Sequence, residues 1–139
     1  MRQCLEEWTV ATRGRGLVEI TDEVSRRLSA SGLRTGLCTL HLRHTSASLL
    51  IQENADPDVR VDLERFFAKL APDGDSAHIH SCEGPDDMPA HIRTALTAVN
   101  LSIPFRDGVL VLGTWQGIYL WEHRHAPHRR SIAMHLLGD

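Results

Sequence analysis

The sequence predicts an α+β fold with a mainly antiparallel sheet and about three helices, in one domain over residues 1–139. Three observations predict it. Short segments rich in β-branched, aromatic and aliphatic residues recur along the chain and fill its last third. Asp107-Gly108 is a tight-turn signal between two of them. Other stretches space apolar residues at helical intervals, without the regular alternation of a βαβ protein.

The elements follow in order. Glu6 to Thr12, with Trp8, Thr9 and Val10, reads as a strand. Arg13-Gly14-Arg15-Gly16 is a turn, and Leu17 to Ile20 a second short strand. Thr21 is placed to cap a helix, with Asp22 and Glu23 in its first turn and Ile20, Val24 and Leu28 on its apolar face. Ser31-Gly32 ends that helix. From Gly36 to His44 a strand alternates Cys38, Leu40 and Leu42 with Thr39, His41 and Arg43. A polar patch, His44-Thr45-Ser46-Ala47-Ser48, precedes apolar Leu49-Leu50-Ile51. A histidine followed by hydroxyls can bind an anion or a metal; a lone histidine at a strand end is more often structural.

Glu53, Asn54 and Asp56 crowd the step into a second helix, which Asp56 caps and Pro57 begins. Val59, Leu63, Phe66, Phe67 and Leu70 form its stripe. Ala71 to Ser81 is a loop carrying His78 and His80, which share a face if that piece is extended. It leads to Glu83-Gly84-Pro85-Asp86-Asp87-Met88-Pro89-Ala90-His91, an acidic loop feeding a third helix near Met88-Pro89, with His91 in the first turn and Ile92, Leu96 and Val99 as the buried face. Strands then follow over Ser102 to Arg106, Val109 to Thr114, Ile118 to Glu122 and Ser131 to Leu137. Gly113 and Gly117 interrupt the apolar run, a sign of a bulge or close backbone approach. Glu122 falls on the parity of Ile118 and Leu120, the core face, where a charge must be paired or used. Arg124, on the same parity, is the structural partner this predicts.

Composition narrows the function. A net charge of −3 and the lack of aromatic residues beside the basic clusters argue against a nucleic-acid surface. No apolar run approaches membrane-spanning length and no signal peptide is evident. Cys4, Cys38 and Cys82 form no CxxC and read as reduced thiols of a cytoplasmic protein. The apolar surface that a few helices leave uncovered predicts an oligomer.

Four motifs carry a resemblance: His44-Thr45-Ser46-Ala47, the run Glu53 to Val59, the run Glu83 to His91, and Leu112-Gly113-Thr114-Trp115-Gln116-Gly117-Ile118-Tyr119. Together and in this order they resemble the YjbQ-like family, whose members are often called secondary thiamine-phosphate synthases. The resemblance implies a homotrimer around a threefold axis with a polar site near the subunit interface. It implies a divalent metal, zinc, or magnesium with a diphosphate substrate. The implied reaction joins a pyrimidine diphosphate to a thiazole phosphate, giving thiamine phosphate and pyrophosphate.

Carried over by position, the metal ligands are His44, His80 and His91; Glu53, Glu83, Asp86 and Glu122 are the catalytic carboxylates; Asn54, Asp56, Thr114 and Gln116 face a small phosphorylated substrate. The chain departs from the family pattern at Cys82, where an acid is usual; a small buried cysteine is the plain reading. Imidazoles around one ion leave a position for water or a phosphate oxygen, and carboxylates beside them can orient the rings or move a proton. The chain has no GxxxxGK[ST] phosphate loop. A metal-dependent hydrolase or lyase using the same histidines, or a ligand-binding trimer without turnover, are the alternatives.

Overall fold

Two antiparallel sheets share one core. The computed structural model describes residues Met1 to Asp139. Its strands are β1 (Arg2–Ala11), β2 (Gly16–Glu19), β3 (Gly36–Leu42), β4 (Ala47–Glu53), β5 (Asn100–Arg106), β6 (Val109–Leu110), β7 (Gln116–Glu122) and β8 (Arg129–Gly138); the helices are α1 (Thr21–Ser31), α2 (Pro57–Leu70) and α3 (Asp87–Leu96). One sheet has the order β1-β8-β3-β5-β6 and the other β2-β7-β4. The single sheet expected from the strand count is therefore split. The reason lies in the alternation: Cys38, Leu40, Leu42, Ile103, Ile132 and Met134 of the first sheet and Ala47, Leu49, Ile118 and Leu120 of the second all enter one buried cluster, so each sheet buries the other's inner face.

Local chemistry explains most element ends. Asp107 and Gly108 have φ of 57° and 76°, the two positive values that a tight β5–β6 hairpin requires. Gly117 sits where a Cβ would come within 2.9 Å of Glu19 Oε2 and 3.0 Å of Asn54 Cβ, the close approach expected there. Asp56 caps α2 by accepting the Asp58 N–H at 2.9 Å. Thr21 does not cap α1. It is the first helical residue, and its hydroxyl accepts the Ile118 N–H and donates to Glu19, tying the helix to β7 and β2.

Two helices bury faces other than those the spacing suggested. In α1, Ile20, Val24 and Leu28 are buried as the stripe predicts. In α2 nothing is fully buried; Phe67 leans on Trp121, ring centroids 4.9 Å apart, while Phe66 and Leu70 of the same stripe are exposed. In α3 the buried residues are Asp87, Pro89, Ala90 and Arg93, and Leu96 is exposed. That helix can bury two charged residues because each has a partner, Arg124 for Asp87 and Glu64 for Arg93. Arg93 is fully buried, and its Nη1 donates to Glu64. Cys82 is exposed rather than buried.

Glu122 and Arg130 join the two sheets. Both are buried, Glu122 at the end of β7 and Arg130 near the start of β8. Arg130 Nε donates to Glu122 Oε1 at 2.9 Å and its Nη2 donates to Oε2; Thr12 Oγ1 donates to Oε1 at 2.7 Å. The partner is thus Arg130, not Arg124, which reaches Glu122 only through its backbone N–H. Burial raises the Glu122 carboxyl, but the Arg130 and Thr12 hydrogen bonds outweigh it and the net pKa is lowered. A lowered carboxylate pKa stabilises the fold above its ordinary value of 4.5 and loses that contribution as pH falls through the folded value. The expected result for Glu122→Gln is a loss of about 3–5 kcal/mol in urea unfolding at pH 7, because Arg130 is left as an uncompensated buried charge. The difference from wild type should narrow as pH falls below the ordinary value of 4.5; a constant difference would rule out the ion pair as its cause.

Candidate metal centre

The loop after α2 and the first turns of α3 bring four ligating groups together. His80, Glu83, Asp87 and His91 each offer an atom, and these atoms all lie within 4.8 Å of one another. Asp87 and His91 are four residues apart on α3 and so share one face. His80 and Glu83 approach from the loop, with His80 Nε2 3.5 Å from Glu83 Oε2.

Asp87 is the centre of the cluster. Its Oδ2 lies 2.6 Å from His80 Nε2 and 3.1 Å from His91 Nε2, while its Oδ1 accepts Arg124 Nη1 at 2.7 Å. Burial raises this carboxyl, yet the His80 hydrogen bond and the neighbouring charges bring the net pKa down. Asp86 points away from the ligand atoms. Its Oδ2 accepts Arg124 Nε at 3.1 Å and the His125 N–H at 2.8 Å. Arg124 Nη2 completes the clasp on the Glu83 carbonyl at 2.8 Å.

His91 has a definite tautomer. Its Nδ1 lies 2.7 Å from the Thr45 carbonyl, which can only accept, so Nδ1 carries the proton. In the neutral ring Nε2 then presents its lone pair to a carboxylate oxygen 3.1 Å away. Two lone pairs face each other stably only with a positive species between them, a proton on the imidazole or a cation. Two imidazoles and two carboxylates are a donor set suited to a divalent ion of zinc type, and the carbonyl bond to Nδ1 is the usual support for a ligating Nε2.

The chain belongs to the UPF0047 family, YjbQ-like. The family model described as "UPF0047 protein YjbQ-like" matches residues 6–139. A UPF0047 protein, sll1880, of Synechocystis sp. is 52% identical over 138 residues, covering 99% of this chain and 94% of the relative. UPF0047 protein YjbQ of Salmonella typhimurium is 50% identical over 127 residues, with 90% and 91% covered. Among solved structures, the conserved hypothetical protein TT1486 of Thermus thermophilus superposes with TM-score 0.86 at 37% identity, covering 95% of this chain and 99% of that one. A protein of unknown function from Sulfolobus solfataricus, TM-score 0.87 at 24% identity over 99% and 100% of the chains, shows the same fold.

Within this family member the residues expected at one site fall into separate groups. His80 and His91 meet with Glu83. His44 does not join them: its Nε2 accepts the Ser131 N–H at 2.7 Å. Glu122 is committed to Arg130 and Thr12. Glu53 turns back to accept the Ala55 and Asp56 N–H groups at 3.1 and 2.7 Å. Gln116 accepts the Gly113 N–H at 2.8 Å beside exposed Thr114, and Asn54 bonds through its backbone to Trp115. Glu53 pairs with Gln116 at one end of β7, and Ala47 with Glu122 at the other. Strand rise puts these ends about 20 Å apart. Asp87, the most connected residue of the cluster, was missed by sequence reading, although Asp87 and His91 at helical spacing signal it. His78 turns to Asp75 and stays out of the cluster.

His80 also borders a cavity of about 330 Å³ lined by Gly74, His78, Gly84 and Met88. A second cavity, about 620 Å³ between Trp8 and Glu23, contains none of the cluster residues.

Behind α3 lies a further polar group. His123 is fully buried, with Nε2 2.8 Å from Ser48 Oγ. Burial, and then the Arg93 charge, lowers its pKa to about 3. The folded chain keeps this ring neutral while the unfolded chain protonates it below about 6.5. The lowered value therefore stabilises the fold above pH 6.5, and the contribution is lost as pH falls from there towards 3. The His123 ring resonances should not titrate between pH 8 and 5. His123→Gln should remove up to about 1.4 kcal/mol per pH unit from the acid slope of stability, read by unfolding at several pH values; a ring titrating near pH 6.5 would contradict its burial.

Proposed function

We propose that this chain binds a divalent cation, zinc before others, through His80, Glu83, Asp87 and His91, and acts on a small molecule in the adjoining cavity. The observation that carries the reading is the convergence of four donor atoms within 4.8 Å of one another, with the His91 Nδ1–H committed to Thr45 so that Nε2 is the nitrogen turned to the cluster. Bound there, the ion would supply a Lewis acid and an activated water. Asp87 would ligate through Oδ2 while Arg124 fixes its other oxygen. Thr45 would hold the His91 ring in its ligating tautomer. Glu83, the exposed carboxylate of the group, is placed to hold or move a proton at the cluster's edge.

The geometry supports metal-assisted hydrolysis or a lyase step better than the thiamine-phosphate synthase reaction that the resemblance brings. The transferase must hold a leaving pyrophosphate, and the nearest cation to the cluster, Arg124, is already engaged by Asp86, Asp87 and the Glu83 carbonyl. We also infer a homotrimer. Phe66, Leu70, Val109, Val111 and Trp115 are exposed apolar residues that a neighbouring copy would cover.

Emission spectroscopy on purified protein, followed by zinc titration of the EDTA-treated chain, tests the cation. The expected result is one zinc per chain, with His80→Ala weakening affinity at least about tenfold. Because His80 also bonds the buried Asp87 carboxylate at 2.6 Å, its loss should cost about 1–3 kcal/mol of unfolding free energy, so affinity is read on the folded variant. Unchanged zinc affinity in that variant would overturn the site. Assaying thiamine phosphate formation with and without zinc decides between the two reactions. Sedimentation equilibrium should give three times the 15.6 kDa chain mass; a stable monomer at micromolar concentration would reject the trimer.

A further inference from the structure

The five-stranded sheet has one covered face and one bare face. Its inner side chains, among them Cys38, Leu40, Ile103, Met134 and Leu136, enter the shared core. Alternation turns the intervening residues outward. Helices α2 and α3 pack on the other sheet, against β2 and β4. Helix α1 lies on the inner side, with Val24 and Leu28 in the core. That leaves the outer face of β1, β8, β3 and β5 without a covering helix and its apolar side chains exposed.

Those apolar side chains form a row across the strands. Register sets Leu137 beside Leu37, and Leu37 beside Pro104. Val111, whose N–H bonds the Pro104 carbonyl at 2.8 Å, extends the row past β6. Val109 lies on the same face opposite Arg106, and Leu5 stands on β1 opposite His135. All six are exposed, Leu37 and Leu137 at the centre by 41% and 38%. The neighbouring row, His135, Thr39 and Ser102, carries no carboxylate or guanidinium. Charges stay at the margins: Glu7 pairs with Arg43 at 3.0 Å, and Arg106 flanks Val109.

An unbroken apolar row of this kind marks a surface that is covered in the working protein. Four strands about 4.8 Å apart and about seven residues long present roughly 20 by 23 Å. That approaches the ~500 Å² per partner at which a specific interface begins. With no cluster of like charges, the face offers nothing to a phosphate-rich or strongly charged partner, and copies of the chain meet on it without repulsion. We propose that the outer face of the five-stranded sheet, centred on Leu37, is the surface that a second copy of this chain covers. The proposal rests on the homotrimer reading and adds to it the face through which the copies meet.

Sedimentation equilibrium on wild type and on Leu37→Arg tests it. Leu37 lies outside the core, so the variant should keep its fold, checked by its melting temperature. The expected result is a trimeric wild type and a Leu37→Arg that assembles at least about tenfold more weakly. Leu96→Arg, on α3 at a site 57% exposed, should assemble like wild type. A folded Leu37→Arg as tightly trimeric as wild type overturns this face and leaves the trimer standing, as does a Leu96→Arg that dissociates just as readily. A monomeric wild type overturns both. If Leu37→Arg does not fold, hydroxyl-radical footprinting of assembled wild type decides. Leu37 and Leu137 should then oxidise more slowly than Leu96; a trimer in which all three oxidise alike leaves the face open to some other partner and overturns the proposal.

Discussion

The guanidinium of Arg124 is the tie on which the candidate site depends. One planar group bonds Asp86, Asp87 and the Glu83 carbonyl at once. It joins the end of β7 to the loop and to the first turn of α3. Without it nothing obliges Asp87 to present a single free oxygen to two histidines. A second clasp works in parallel: Arg15 is bidentate on Asp73 at 2.9 Å and bonds the His123 carbonyl at 2.8 Å, so the start of the same loop is held to the same strand end. Such planar, charge-assisted pairs give geometric precision as well as energy, and they fix the loop that carries His80 and Glu83 against α3.

Three successive residues at the end of β7 show how strand parity organises the chemistry. Glu122 faces inward and meets Arg130, joining the sheets. His123 faces the helices, neutral against Ser48. Arg124, beyond the ladder, takes the carboxylates of Asp86 and Asp87 at the start of α3. Core stability, helix docking and the orientation of Asp87 thus depend on one short segment, each through a different partner.

Much of the fold was legible because its signals are local. The Asp107-Gly108 hairpin, the Asp56 cap, the buried face of α1 and the close approach at Gly117 all follow from turn chemistry or apolar spacing. The division into two sheets was not, since alternation gives each strand an inner face but not the sheet it joins. The face of α3 was misread because its buried residues include an aspartate and an arginine, which hydrophobic periodicity cannot see. At the site, His80, Glu83 and His91 were legible from their clustering near one helix start. Asp87 was hidden beside Asp86, and only the fold shows which of the two turns to the histidines. His44 and Glu122 sit at element ends beside polar motifs, as a ligand and a catalytic carboxylate would, but they bond a backbone amide and a buried arginine.

The most direct measurement on the central claim is X-ray absorption at the zinc edge, on protein loaded with one equivalent of zinc. The account predicts a shell of nitrogen and oxygen ligands near about 2.0–2.1 Å with imidazole outer scattering. A sulfur contribution near about 2.3 Å would place the ion on a cysteine such as Cys82. That shell, or one of water alone, would contradict a site built from His80, Glu83, Asp87 and His91.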